Sequence, residues 1–461
     1  MLRILYSLVL SKKLSRKNGH NSSSMFLVLL LLLSFGSVSA KIDQAWIKVR
    51  SKSSTNTELA SKILMQKCKD CHTAHTEYPF YAELPIVKDL IKADIRKGRA
   101  YFNMDNEIFN KNLDSDISIS SLNRIKTVLE EASMPPIQYR MIHWDTNFSD
   151  AEKEIVLSWI SDLSDSDFKP IPSVESLNLD ENKVALGDKL YHDKRLSRNN
   201  TISCASCHDL GKGGTDQQQY SLGINGSQGH INSPTVYNSS YNIKQFWDGR
   251  AEDLVAQAHG PVHNPAEMGS NWDEVREKLK NDEEYINLFK AAYGSEEMSG
   301  DKMAEAIATF EESLITPDNK FDQYLKGNKL ALNDTEREGF ELFKKYNCNN
   351  CHLGVALGGN SFQKMGIYAN YFTDREQGLN GLKALAISKE DNGRFNFTRN
   401  EADKYKFKVP ILRNIKDTFP YLHDGTITSL EETVRIMGHY QVGKDIPESD
   451  INKIVAFLKT L

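Results

Sequence analysis

Cysteine is scarce in this chain, with six residues in 461, so a disulfide-stapled scaffold is excluded if those six have other work. Apolar runs are scarce as well. The one long run, Phe26 to Phe35, has ten residues, about half of the ~20 that a helix needs to cross a bilayer. Positive charge is not in excess, since 57 Lys and Arg stand against 62 Asp and Glu for a net charge of −5. A surface of that sign does not suit a nucleic-acid partner. Strand-like alternation of polar and apolar residues is rare too, which leaves an all-α fold as the expectation.

All six cysteines fall in one repeated pattern: Cys68-Lys-Asp-Cys71-His72, Cys204-Ala-Ser-Cys207-His208 and Cys348-Asn-Asn-Cys351-His352. Two thiols three residues apart can form thioethers with both vinyl groups of a haem, and the adjacent imidazole can take its iron. Zinc is the rival reading of a Cys-x-x-Cys pair, but a closed structural site needs four ligands and gives no reason for His at the same offset three times. Three covalent haem c groups are therefore expected, with His72, His208 and His352 as iron ligands. The motifs lie 136 and 144 residues apart, which suggests one haem in each of three cytochrome c-like domains.

Arg3, Lys12, Lys13, Arg16 and Lys17 precede the apolar run, and Ser37-Val38-Ser39-Ala40 supplies small residues after it. This is the layout of a secretory signal peptide over 1–40, with Met25 as an alternative start and an uncleaved anchor as the other reading. Cleavage removes five positive charges and no acids, taking the net charge from −5 to −10. The expected product is periplasmic, soluble or held peripherally at the membrane.

The first domain is read as 41–165. A short helix over Thr57–Gln66 leads into Cys68, and Tyr78-Pro79-Phe80-Tyr81 is a ring-rich turn. Met134, in Ser133-Met134-Pro135-Pro136, is the candidate second iron ligand, although a Met is more often core filler. Ser149-Asp-Ala-Glu152 is a capping box, opening a helix that turns Ile155, Val156, Trp159, Ile160 and Leu163 inward. Residues 165–173 read as a linker. The second domain is placed at 174–320 and the third at 321–461, with Phe321 to Leu330 open to either. Gly187 with Leu190-Tyr191 and Gly339 with Leu342-Phe343 read as one packing helix used twice. Ser449 is the expected N-cap of a last helix with Ile451, Ile454, Val455 and Leu458 inward, and Gly359 to Asn400 reads as a surface loop.

From about Lys183 onward the chain strongly resembles the bacterial di-haem cytochrome c peroxidases. The resemblance is carried by Cys204 to His208, Asn232-Ser-Pro234-Thr235, Phe246-Trp247-Asp248-Gly249-Arg250, Gln257 to Pro261 and Glu267-Met268. It continues through Cys348 to His352, Arg413-Asn414, Pro420-Tyr421 and Met437-Gly438-His-Tyr-Gln441. The preceding residues resemble the mono-haem domain of the tri-haem, quinol-linked members, with Tyr78-Pro79 and Met134-Pro135-Pro136 as matching points. The resemblance implies that the last two domains form a di-haem peroxidase unit reducing hydrogen peroxide to water. It makes His208 the proximal ligand of the peroxidatic haem and gives His352 and Met437 to a transfer haem. Trp247 would lie between the two haems, Gln257 and Glu267 in the distal pocket, and Asn232, Thr418 and Pro420 at a calcium ion. The implied donor is quinol or a small cytochrome c or cupredoxin, and a homodimer is compatible with the family. Two alternatives stand beside it: a MauG-like protein-modifying oxidase, in which a Tyr replaces the Met ligand that Met437 matches here, and a multi-haem electron carrier.

One departure from the family pattern matters. Many di-haem peroxidases place a His after a Ser-x-Gly about sixteen residues beyond the proximal His, whereas here Ser221-Leu-Gly223 is followed by Ile224. A peroxidatic iron without a strong distal protein ligand is expected, with His230 as the alternative ligand. Mass spectrometry of the secreted protein should give the polypeptide plus three haems; a two-haem mass would remove the first motif from the haem count.

Overall fold

The structure, a computed structural model, describes residues 55–461 apart from 79, 84, 116, 141–146 and 164–167. The signal segment 1–40, Pro79 and the start of the 165–173 linker lie outside the described residues. The described residues form two compact units, one of 55–68 with 131–159 and the other of 69–130 with 160–461. Helices dominate both, and the only sheet among the described residues is a two-stranded one, Phe362–Lys364 antiparallel to Lys406–Lys408.

In the smaller unit the capping box is present: Ser149 N–H donates to Glu152 Oε2 at 2.7 Å, and Glu152 N–H donates to Ser149 Oγ at 3.2 Å. The helix it opens, Asp150–Leu163, buries Val156 and Trp159 as its apolar spacing requires. Glu152 has a second use, since its other oxygen meets Lys67 Nζ at 3.2 Å in a pair that is almost fully buried. Lys67 lies on the helix Asn56–His72, which runs through the first haem motif and does not stop at Gln66.

In the larger unit the repeated helix is real, and glycine explains it. Gly187, on Glu181–His192, lies so close to Gly300–Ser313 that a Cβ there would stand 2.0 Å from the Ala306 carbonyl oxygen. Gly339, on Asp334–Lys345, meets Glu448–Leu458 in the same way, with a Cβ falling 1.9 Å from the Lys453 carbonyl oxygen. Each contact seats one apolar cluster, the first containing Leu186, Leu190, Phe289 and Ile307, the second Phe321, Phe340, Phe457 and Leu458. Phe321 therefore belongs to the C-terminal cluster.

Three local expectations are corrected. The last helix starts at Glu448 with Pro447 as N-cap, so Ser449 lies inside it; the fixed φ of Pro447 sets the start, while Ile451, Ile454, Val455 and Leu458 are buried as expected. The described part of the linker is packed: Phe168 lies against Phe321 and Phe340, Ile171 is fully buried, and Arg413 Nη2 donates to the Lys169 carbonyl. Residues 359–400 are not a surface loop either, because Tyr371, Phe372, Arg375 and Asp391 are all buried. Their Gly and Asn content marks turns, and polarity alone misplaced a segment whose charges are paired inside.

Gly187→Ala should cost about 1–3 kcal/mol through forced separation of the two helices, seen as a lower urea midpoint with an unchanged slope. An unchanged midpoint would mean that the helices do not meet at this residue.

Candidate functional site

Each of the three motif histidines has its Nδ1 beside a backbone carbonyl. His72 Nδ1 lies 2.9 Å from the Phe102 carbonyl oxygen, His208 Nδ1 3.3 Å from that of Gly214, and His352 Nδ1 3.1 Å from that of Leu357. A carbonyl can only accept, so the proton sits on Nδ1 and Nε2 carries the lone pair that a metal takes. Burial lowers the pKa of all three rings, that of His352 to about 4, which keeps them neutral as ligands must be. Burial also pushes the thiols up, Cys71 and Cys207 to about 11 and Cys348 to about 12.

The second motif is a single helical turn, Cys204–Cys207, closed by a Ser203 and Ser206 capping box. Tyr191 OH donates to the His208 carbonyl at 2.5 Å, which ties the motif to the Gly187 helix. Glu267 sits near enough for its charge to act on Cys207. It is reached by a turn that follows the helix Leu254–His263, which contains Pro261 and carries the half-buried Gln257. Asn264 Nδ2 donates to Glu267 Oε1 at 2.7 Å, and the Ile224 N–H donates to the Glu267 carbonyl at 2.8 Å. Burial raises the Glu267 pKa above the usual carboxylate range, and the Asn264 bond and the Arg250 charge offset this only in part. Ile224 is buried, and its Cδ1 stands where a side chain on Gly269 would begin. His230 is exposed.

Trp247 is fixed at both ends of the residue. Its Nε1–H donates to the Asn232 carbonyl at 2.8 Å, and its own carbonyl accepts the Lys408 N–H at 2.8 Å. Its ring meets those of Phe407 and His423 edge-on at 6.4 Å and packs on the apolar cluster that also takes in Met437. Met437 closes the helix Leu430–Met437, after which the backbone widens into a π turn at Gly438, a residue whose missing side chain makes room for Ile446. Asn232 is buried, with its amide donating to the Gln218 carbonyl at 3.0 Å and its N–H to that of His423 at 2.8 Å. Thr418 and the cis-bonded Pro420 lie on the segment that Gln217 reaches through the Asp417 carbonyl. In the smaller unit, Met134 precedes a cis peptide bond to Pro135 and is 37% exposed.

Three groups of residues went unrecognised in the sequence. Arg375 is fully buried and pairs with Asp391 and Asp424, both at 2.7 Å, while His423 Nε2 meets Asp391 at 2.8 Å. Burial alone would raise the Asp391 pKa, but hydrogen bonds from His423 and Arg375 hold it well below the carboxylate range. A second group grips the third motif between its cysteines: Ser120 Oγ donates to the Asn350 carbonyl at 2.6 Å, Asn123 Nδ2 to that of Asn349 at 3.0 Å, and Thr127 Oγ1 to Asn350 Oδ1 at 2.8 Å. The third is the buried Lys408. Only the polar residues at 120, 123, 124 and 127, spaced along one face of the helix Ile119–Glu130, could have signalled the second group.

Comparison with known proteins agrees with this geometry. A family model described as di-haem cytochrome c peroxidase matches residues 181–330, and one described as a haem-binding domain matches residues 28–162. Cytochrome c peroxidase Ccp of Escherichia coli (strain K12) is 40% identical over 423 residues, 88% of each chain. Cytochrome c551 peroxidase of Nitrosomonas europaea is 46% identical over 293 residues, 64% of this chain and 83% of that one. Among solved structures, a MauG-like protein associated with microbial copper homeostasis has a TM-score of 0.56 at 28% identity, over 65% of this chain and 94% of that one. Identity of that order over nearly the whole length, in a chain whose three motif histidines each have Nδ1 engaged by a backbone carbonyl, means that this protein belongs to the di-haem cytochrome c peroxidase family and binds haem.

Proposed function

We propose that this cytochrome c peroxidase is a periplasmic tri-haem enzyme that converts hydrogen peroxide, two electrons and two protons into two waters at the second motif. The observation that carries the reading is Glu267, a carboxylate of raised pKa held by Asn264 within electrostatic reach of Cys207. A haem, when bound, supplies an iron that stores and passes electrons and, at His208, a face open to peroxide. Glu267 then takes the proton from one peroxide oxygen and delivers it to the departing one. Asn264 holds Oε1, which leaves Oε2 for that transfer, and Gln257 offers an amide to the bound peroxide. The bond to the Gly214 carbonyl keeps the His208 ring in one tautomer throughout.

Cys68, Cys71, His72 and Met134 would hold one haem and Cys348, Cys351, His352 and Met437 another, and such haems would supply one-electron storage between the donor and the second motif. Support comes from Ser120, Asn123 and Thr127, which join the 69–130 segment to the third motif. Trp247, which packs on the same apolar cluster as Met437, would lie on the path between the third and second motifs. Quinol or a small cytochrome c or cupredoxin is the donor, separable by a steady-state assay with each as sole reductant. We assign the domains as 41–165, 174–320 and 321–461 and keep the homodimer and the peripheral membrane contact as parts of this reading. Among the described residues no helix is long and apolar enough to cross a membrane. Asn232, Thr418 and Pro420 offer a calcium ion the amide and carbonyl oxygens it prefers. A MauG-like oxidase is the second reading, favoured by the similarity to a MauG-like structure; Met437, where that relative would need Tyr, weighs against it.

Glu267→Gln should lower peroxide turnover on the order of 10²-fold or more with the haem spectra little changed. The base must be ionised, so wild-type activity should fall as pH drops through a pKa above the ordinary Glu range, and that acid limb should vanish in the variant. Wild-type turnover in Glu267→Gln would assign the proton work elsewhere.

With Ile224 buried and His230 exposed, electron paramagnetic resonance of the oxidised enzyme should contain a high-spin haem, and the enzyme should react without prior reduction. Ile224→His should convert that signal to low-spin and introduce a need for a reducing step. Three low-spin haems in the wild type would rule out an open iron.

A further inference from the structure

Lys408 is an anomaly in the larger unit. It is 6% exposed, and its ammonium, which among the described residues makes neither an ion pair nor a hydrogen bond, keeps a small opening to the space beside it. The one acid that acts on it, Asp248, does so through space, and burial drives its pKa down to about 7. Asp248 is already engaged, with its carboxylate on Arg250 Nη1 at 3.0 Å and its carbonyl on Arg394 Nη1 at 3.2 Å. Lys408 and Arg250 therefore share one carboxylate. Two cations in a poorly solvated place with one acid between them suit an anion supplied from outside the polypeptide.

The backbone shows where that anion belongs. Lys408 ends the strand Lys406–Lys408, whose alternation sends Phe407 into the cluster of Trp247 and His423, with its ring 4.1 Å from that of His423, and Lys408 to the other face. The Lys408 N–H bonds the Trp247 carbonyl, and two residues on the Pro410 carbonyl faces the His352 ring. Gly358, packed so that a Cβ would lie 2.1 Å from the Pro410 oxygen, holds this crossing in place. A span of three residues thus links Trp247 to His352, with the Lys408 side chain at its start.

We propose that Lys408 is a haem-binding residue that pairs with a propionate carboxylate of the haem attached to Cys348 and Cys351, beside Trp247. The carboxylate cancels the buried charge, and the buried cation in turn favours the reduced, less positive state of that iron. Lys408 is by this account a positioning and potential-setting residue of the transfer haem and takes no part in proton transfer to peroxide. The assignment rests on the haem reading of the third motif.

The test is spectroelectrochemical titration of all three haems in the holoenzyme, with resonance Raman spectra of the propionate bending modes, for Lys408→Met, Lys408→Gln and Lys408→Arg. Both neutral variants should keep three haems. In them the third haem's reduction equilibrium should shift about tenfold toward the oxidised state, about 59 mV for a one-electron couple, and its propionate band should move. Lys408→Arg should restore the midpoint. An unchanged midpoint with the haem absorbance intact would overturn the assignment, as would a shift confined to the peroxidatic haem or a fall in midpoint with no change in the propionate band. Absence of the third haem from the wild type would instead refute the haem reading itself.

Discussion

A hydrogen bond from imidazole Nδ1 to a backbone carbonyl, made three times, is the contact on which the chemistry of this protein depends. It chooses the tautomer, fixes the ring plane and leaves on Nε2 the lone pair that a metal takes. Each acceptor comes from a different kind of backbone. Phe102 follows the helix Pro85–Tyr101, whose Gly98 lies against the Cys71 carbonyl; Gly214 has a φ of +74°; Leu357 has a φ of +50°. The loops after the motifs are therefore shaped by the need to bring one carbonyl back to one ring.

Around these bonds the larger unit is held in register by charges buried with their partners. Arg375 joins Asp391 to Asp424, and Arg413 pairs with Asp322 at 2.7 Å while donating to the Val355 and Lys169 carbonyls. Such pairs add little net stability, because desolvation offsets most of the attraction. Their effect is positional. His423, bonded to Asp391, lies edge-on to Trp247, and its carbonyl accepts from Asn232, whose own carbonyl holds the Trp247 indole. The tryptophan's place thus follows from a salt-bridge cluster more than a hundred residues further along the chain.

The helices show why some of this was legible. Gly187 and Gly339 sit at matching places in two amphipathic patterns, and a close helix crossing is what a glycine on a buried face permits, so the repeat could be read from one dimension. The Ser149–Glu152 box was equally local. Residues 359–400 were misread because hydrophobic content is a poor guide where the interior is filled by Arg, Asp and Tyr whose polarity is satisfied by residues far off in sequence. Lys408 escaped for the same reason.

The sequence by itself determined the number and kind of reactive motifs, the mostly helical character, the family resemblance and the substitution of Ile224 for a ligand, because each depends on residue identity at short spacing. Tertiary structure alone decided which carbonyl meets each histidine, that Asn264 and Ile224 hold the segment bearing Glu267, and that Ser120, Asn123 and Thr127 grip the third motif. It also decided that Lys408 is buried beside the backbone of Trp247. Some of these contacts are short in sequence but need a turn that residue identity does not dictate, as between His352 and Leu357, and others join residues more than two hundred positions apart, as between Ser120 and Asn350; the desolvation that raises Glu267 and lowers Lys408 exists only once the chain has closed around them.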